Sequence, residues 1–441
     1  MLLEQEAAYP FIRLAQPFAG VTGIPELTRT VELGQPELEV AISRVGDVSA
    51  LFPGLRSGDG RTYANSGGMN GACADENPEL AIVKSIAEAA ERYAMTVIGN
   101  DEVVVATANE LGAEALDWRL FPRCLDHEYA NFPAIVPFDP DKRMRWVKGI
   151  SLVSGRRLHV PVAMTHISAV SRRAESFSLP ISTGVAVHTC IYEATARAIM
   201  EVVERDSIAL TWYLRQPLPR IQISSERVEL YRERFKAFES SQITQYLFDA
   251  TTDLGIPVVY GLMVAPGHPS AAIVVTAASD LNPVSACAKA MREAVSTRLA
   301  VIASSEVPAS PEACIKLEHG AVYMGAQSRM KEFDFLLKSK QSMDIENIAN
   351  RDVGDSRRNL LWLINRLKEK NIEAVAVELT TEDLRESGLR AVRVVIPQLM
   401  PMSYVTMARF LAHPRLSQYG ELVTGAPFTA DMVNPLPQPF A

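Results

Sequence analysis

Ile199-Met200-Glu201-Val202-Val203-Glu204-Arg205-Asp206 and, earlier in the chain, Ser85-Ile86-Ala87-Glu88-Ala89-Ala90-Glu91-Arg92 share one pattern: two acids three residues apart, then Arg, inside an apolar helical repeat. In a helix this spacing puts both carboxylates on one face. Like charges so placed repel, and their neighbours are Ala, Ile, Val and Met, the residues of a buried helix. Burying carboxylates is costly unless cations sit among them. Two such pairs point to a divalent metal site, and metals held by carboxylates commonly carry nucleotide phosphates.

The second helix reads from 191 or 192 to about 214, with Thr189 as a candidate cap. Glu193, Glu201 and Glu204 lie within about 80° on its wheel, and Arg197 falls on the same side. A third helix, from about Ser285 to Ala303, carries Lys289, Arg292, Glu293 and Arg298. Aligned on Glu88, Glu201 and Glu293, the three helices place Glu91, Glu204 or Ser296 three positions on. Convergence of these helices would bring four or five carboxylates against two or three cations. A lone helix of this kind is more often a solvated face, and Glu–Arg pairs can also join helices without any ligand. His188 reads as a satisfied buried histidine.

The rest of the chain sets bounds. It has 441 residues, 48% of them hydrophobic, enough for a large core. Net charge is −8 and pI near 5.6, with no basic block, which argues against a nucleic-acid surface. Cys73, Cys124, Cys190, Cys287 and Cys314 are scattered and lack metal or redox spacing, so they read as reduced thiols of a cytoplasmic protein. No apolar run is long enough for a membrane span. The fold class is α/β. Strands are expected at 38–43, 146–152, 157–162, 257–264, 271–276, 373–378 and 391–396. A first helix should follow Asn77-Pro78, a surface helix should cover 327–338, and another 359–370. Residues 1–60 form a poorly defined N-terminal segment, and 61–441 a single domain ending in a Pro-rich tail.

The motif order resembles the YcaO superfamily. Ser85-x-x-Glu88-x-x-Glu91-Arg92 is similar to its first motif. The stretch from Ser182-Thr183-Gly184 through Glu193, Glu201, Glu204 and Arg205 is similar to the second. Asp280-Leu281-Asn282-Pro283, followed by Glu293 and Arg298, resembles the third, and Val395 to Pro401 resembles a segment near the family's end. The resemblance implies a YcaO-type fold in which three acid-bearing helices converge on a nucleotide site. It implies ATP and Mg²⁺ as cofactors, with Glu88, Glu91, Glu201, Glu204 and Glu293 holding metal. Ser85, Arg92, Arg205 and Arg298 would face the nucleotide. Pro435-x-Pro437-x-Pro439, running to Ala441, resembles the tail of the azoline-forming cyclodehydratases and implies a part in catalysis. A polyproline segment suits docking because it loses little entropy.

The implied substrate is a ribosomal precursor peptide, whose Cys, Ser or Thr would become thiazoline or oxazoline. A separate leader-binding partner protein is expected, since the chain shows no obvious added recruiting domain. A flavin-dependent azoline dehydrogenase would act afterwards, and homodimerisation stays open. Thioamide or amidine formation, or a non-catalytic scaffold, are the alternatives. Two departures from the family pattern bear on nucleotide affinity: Ser296 stands where Gln is usual, and Gly67-Gly68-Met69-Asn70-Gly71 lacks a lysine between its glycines.

Overall fold

The computed structural model describes residues 26–29, 37–45, 70–98, 103–167, 172–223 and 243–440. Gly67, Gly68, Met69 and Ala441 lie outside the described residues. The first sheet joins β1 (Glu26–Arg29), β2 (Glu39–Ser43) and β3 (Gly71–Asp75), all antiparallel. Of the two strands before residue 60, β1 pairs with β2, and β2 pairs with β3 beyond it.

The second sheet has the order β4-β5-β13-β14-β7, with β6 on β5. Its strands are β4 (Val104–Ala106), β5 (Met144–Ser151), β6 (Arg157–Pro161), β7 (Val185–His188), β13 (Val375–Glu378) and β14 (Arg390–Val395). The third has the order β11-β10-β9-β8-β12. It comprises β8 (Arg220–Gln222), β9 (Thr244–Asp249), β10 (Val258–Val264), β11 (Ile273–Ser279) and β12 (Ser342–Asp344). Among the described ladders only β8–β12 is parallel. Mixed α/β is the observed class.

Three long helices lie against these sheets: α1 (Pro78–Ala94), α2 (Ile191–Leu214) and α3 (Pro283–Ala303). The Asn77 side chain accepts the backbone N–H groups of Glu79 and Leu80, and Asn282 accepts those of Val284 and Ser285. In both, Pro follows at the first turn, where its missing N–H costs nothing. For α2 the expectation fails: the cap position is Cys190, with no side-chain bond, and not Thr189. The helix survives without a cap because sixteen of its residues, among them Ile199, Val203, Ile208 and Trp212, are buried. The surface helix expected over 327–338 breaks into a 3₁₀ segment, Gln327–Phe333, and one short turn, Asp334–Leu337. The helix expected over 359–370 is α4 (Ser356–Glu369), and α5 (Pro414–Thr424) had no counterpart in the sequence reading.

Gly184 fixes how α2 meets the second sheet. Its φ is +83°, and a Cβ there would lie 2.5 Å from the Val394 carbonyl oxygen and 2.8 Å from Val202. Both the left-handed backbone and the contact demand glycine. Gly184→Ala should lower unfolding free energy by about 2–4 kcal/mol. Urea denaturation monitored by circular dichroism measures this, and an unchanged midpoint would refute the close approach.

Candidate functional site

Glu88 and Glu91 of α1 and Glu201 and Glu204 of α2 are each tied to a backbone N–H in or beside a strand. On α1, Glu88 Oε2 accepts from Ala72 in β3 at 2.8 Å, and Glu91 Oε1 from Val187 in β7 at 3.1 Å. On α2, Glu201 Oε2 accepts from Gly184 at 2.9 Å, and Glu204 Oε2 from Ser279 at the end of β11 at 2.8 Å. Those bonds explain how acids persist in apolar helices: a charge-assisted hydrogen bond offsets part of the desolvation.

Cations lie between the acids. Arg92 Nη2 is 2.6 Å from Glu88 Oε1. Arg205 Nη2 stands 3.5 Å from Glu201 and 3.8 Å from Glu204. From α3, Lys289 Nζ reaches Glu204 at 3.9 Å and Glu293 at 3.7 Å. Burial pushes the Glu91 carboxyl up to about 8, and the neighbouring Glu201 adds to the rise. Burial also raises Glu201, against the pull of Arg205. Glu293 goes up to about 7 through burial, opposed by Lys289 and supported by Glu204. Arg205 is raised although burial opposes it, because Glu204 and Glu201 hold its charge.

The other expected residues are placed as follows. Ser85 is fully buried, its hydroxyl donating to the Ile82 carbonyl at 2.8 Å and lying 2.7 Å from Ser43 Oγ. Arg298 is buried in α3. Ser296 donates to the Glu293 carbonyl of its own helix. Glu193 bonds Arg197 and Ser356, and His188 Nδ1 accepts the Cys190 N–H. Sequence reasoning left Lys289 out of the site, although its position four residues before Glu293 was the signal. It also missed Arg393, a buried cation between Val392 and Val394 of β14.

The tail is seated in the protein. Pro435 is exposed, whereas Pro437, Gln438, Pro439 and Phe440 are buried. Trp212 Nε1 of α2 donates to the Leu436 carbonyl at 3.1 Å, and Asn434 N–H donates to the Tyr213 carbonyl at 2.9 Å. Phe440 meets Tyr260 edge-on with ring centroids 5.6 Å apart. A Cβ on Gly320 would fall 1.9 Å from the Gln438 carbonyl oxygen, so only glycine lets the tail pass.

Among the described residues no group of three His, Cys, Asp or Glu forms a ready cage for a metal ion. Mg²⁺ does not need one. It is bound through one or two carboxylates, waters and substrate phosphates. The acids fit this role, because several carry raised affinity for protons and would gain from a divalent cation in the proton's place. Acids and cations interleaved on three helices are the residue types that a metal–nucleotide site uses.

The family pattern described as YcaO cyclodehydratase, ATP- and Mg²⁺-binding, matches residues 74–400. The chain belongs to the YcaO family, whose cofactors are ATP and Mg²⁺. It is 23% identical over 385 residues to an uncharacterised protein of Methanothermobacter thermautotrophicus, covering 86% of this chain and 90% of that one. A heterocyclase in complex with substrate and cofactor has a similar fold, with TM-score 0.78 and 21% identity, over 100% of this chain and 57% of the other. This chain thus spans little more than half of that heterocyclase. YcaO from Methanopyrus kandleri, bound with AMPPCP and Mg²⁺, matches at TM-score 0.61 and 19% identity, over 90% of both chains.

A pH dependence follows for the metal-free protein. Glu91 titrates near 8 when folded and near its ordinary 4.5 when unfolded, so between these values the folded state holds more protons. Stability is then fully present below about pH 4.5 on this account and falls as pH rises towards 8. Glu91→Gln should flatten that fall, read as melting temperature against pH with chelator present. An identical slope in the variant would refute the raised affinity.

Proposed function

We propose that this chain is an ATP- and Mg²⁺-dependent cyclodehydratase that activates backbone amides of a ribosomally made precursor peptide. A Cys thiol, or a Ser or Thr hydroxyl, gives up its proton to solvent as it adds to the preceding amide carbonyl, forming a C–S or C–O bond and turning the carbonyl oxygen into an oxyanion. The carbonyl oxygen takes the γ-phosphoryl group of ATP, releasing ADP. Loss of the amide proton and departure of phosphate then form the C=N bond of a thiazoline or oxazoline. An amide oxygen is a poor leaving group, and phosphorylation cures that.

Glu88, Glu91, Glu201, Glu204 and Glu293 would hold Mg²⁺, which when bound neutralises charge on the transferring phosphoryl group. Ser85, Arg92, Arg205 and Arg298 are the proposed nucleotide residues, Ser85 needing to turn from its buried hydroxyl partner to serve. Arg205 and Lys289 hold the acids in place. The observation that carries the azoline reading is that the tail is seated in the protein: Asn434 and Leu436 bond the end of α2 at Tyr213 and Trp212, Gln438 passes Gly320, and Phe440 meets Tyr260. Pro435, Pro437, Pro439 and Ala441 are the proposed catalytic tail. A separate leader-binding protein would deliver the precursor, and a flavin-dependent dehydrogenase would oxidise the rings.

Calorimetry should find Mg²⁺-dependent ATP binding that Glu201→Ala abolishes, with the circular dichroism spectrum kept. Equal affinity in the variant would refute the carboxylate assignment. In turnover, the peptide should lose one water per ring at Cys, Ser or Thr. Exchange of oxygen for sulfur, or water loss at an amine with those residues intact, would favour thioamide or amidine formation instead.

A further inference from the structure

A half-open cavity lies beside the carboxylate cluster. Its walls include Met164, Ser178, Val202, Arg393, Met400 and Met402. It adjoins the cluster through three contacts. Val202 follows Glu201 on α2. Arg205 Nη1 lies 3.7 Å from Met402 Sδ. Burial lowers the proton affinity of Arg393, and Glu201 is near enough to oppose that lowering.

Arg393 is the unusual member. It stands in β14 between Val392 and Val394 and is 8% exposed. Nη1 donates to the Ile181 carbonyl at 2.8 Å, but Nε has no hydrogen-bond partner among the described residues. A buried guanidinium N–H is costly to leave unpaired, so this donor would favour a ligand that brings an acceptor. The rest of the wall is mostly apolar, with Phe177 and Phe410 beside aliphatic groups, two hydroxyls (Ser178 and Thr183), and three methionines that can adjust to differently shaped apolar groups. The ligand these surfaces fit has an apolar body and a carbonyl oxygen.

We infer that this cavity holds an apolar side chain of the peptide substrate, flanking the residue that cyclises, and that Arg393 donates to that residue's backbone carbonyl. The inference rests on the proposed function for the identity of the peptide. The geometry itself comes from Arg393 and the cavity. Such a pocket sets which precursor residue can stand next to the reacting amide, so it acts on selection of the site and not on phosphoryl transfer.

The test uses the full chain with ¹³C-methyl-labelled methionine, Met164 and Met400 being assigned by Met→Leu exchange. N-acetyl-leucine methylamide, at millimolar concentration, should shift both signals saturably. N-acetylglycine methylamide, which keeps the carbonyl and lacks the side chain, should not. Arg393→Met should weaken the leucine derivative about tenfold or more, the worth of one charge-assisted hydrogen bond. Ser178→Phe, which fills the cavity from its rim, should abolish the shifts. No response to the leucine derivative in the wild type overturns the pocket, as does a response to adenosine, which would make it a nucleobase site. Mg²⁺–ATP calorimetry on the same sample separates the two readings. ATP bound without a leucine response sinks the pocket alone. A leucine response without ATP binding upholds the pocket and sinks the nucleotide site.

Discussion

The structure depends on carboxylates that serve two masters. Glu88, Glu91, Glu201 and Glu204 each give one oxygen to a backbone N–H of a strand or its flank. In Glu88, Glu201 and Glu204 the second oxygen faces an Arg side chain. The same four bonds pin α1 to β3 and β7, and α2 to the start of β7 and the end of β11. Helix packing alone would leave these helices free to slide by a turn. A charged bond to one particular N–H does not permit this, because a shift would leave both acid and amide buried without partners. Placement of the acids and placement of the helices are thus a single constraint.

That constraint also explains the cations. Glu204 is 3% exposed and cannot be left without a counter-charge. Arg205 and Lys289 supply it from two different helices, at distances longer than tight ion pairs. Loose pairing of this kind balances charge while leaving the acids able to turn to a stronger cation. A closed set of short salt bridges would be more stable and less able to accept a metal.

Much of this was legible in the sequence. The starts of α1 and α3 follow from Asn-Pro pairs, and the acids of both Glu-x-x-Glu-Arg runs could be singled out because they interrupt apolar helices. Their backbone partners could not. Val187 lies far along the chain from Glu91, and Ser279 from Glu204, so no local pattern links them. Ser85 illustrates the same limit: its motif position is evident, but its hydroxyl meets Ser43, on a strand that only the fold brings near. The tail reads as an extension by composition, since Pro and Gln carry no sign of burial. Its seat is made elsewhere, by Trp212, Gly320 and Tyr260.

The pairing of β7 with β14 joins His188 to Arg390 and Val185 to Arg393. Between the two strands lie α2, the whole third sheet, α3 and α4. During synthesis β7 must therefore wait for most of the chain before its edge is covered. Until then the Gly184 turn has no Val394 to close on, and Glu201 has no fixed amide to hold. A nascent chain of this protein carries its acidic helices long before it has a site. Fragments ending before β14 should be clients for chaperones, not small nucleotide binders.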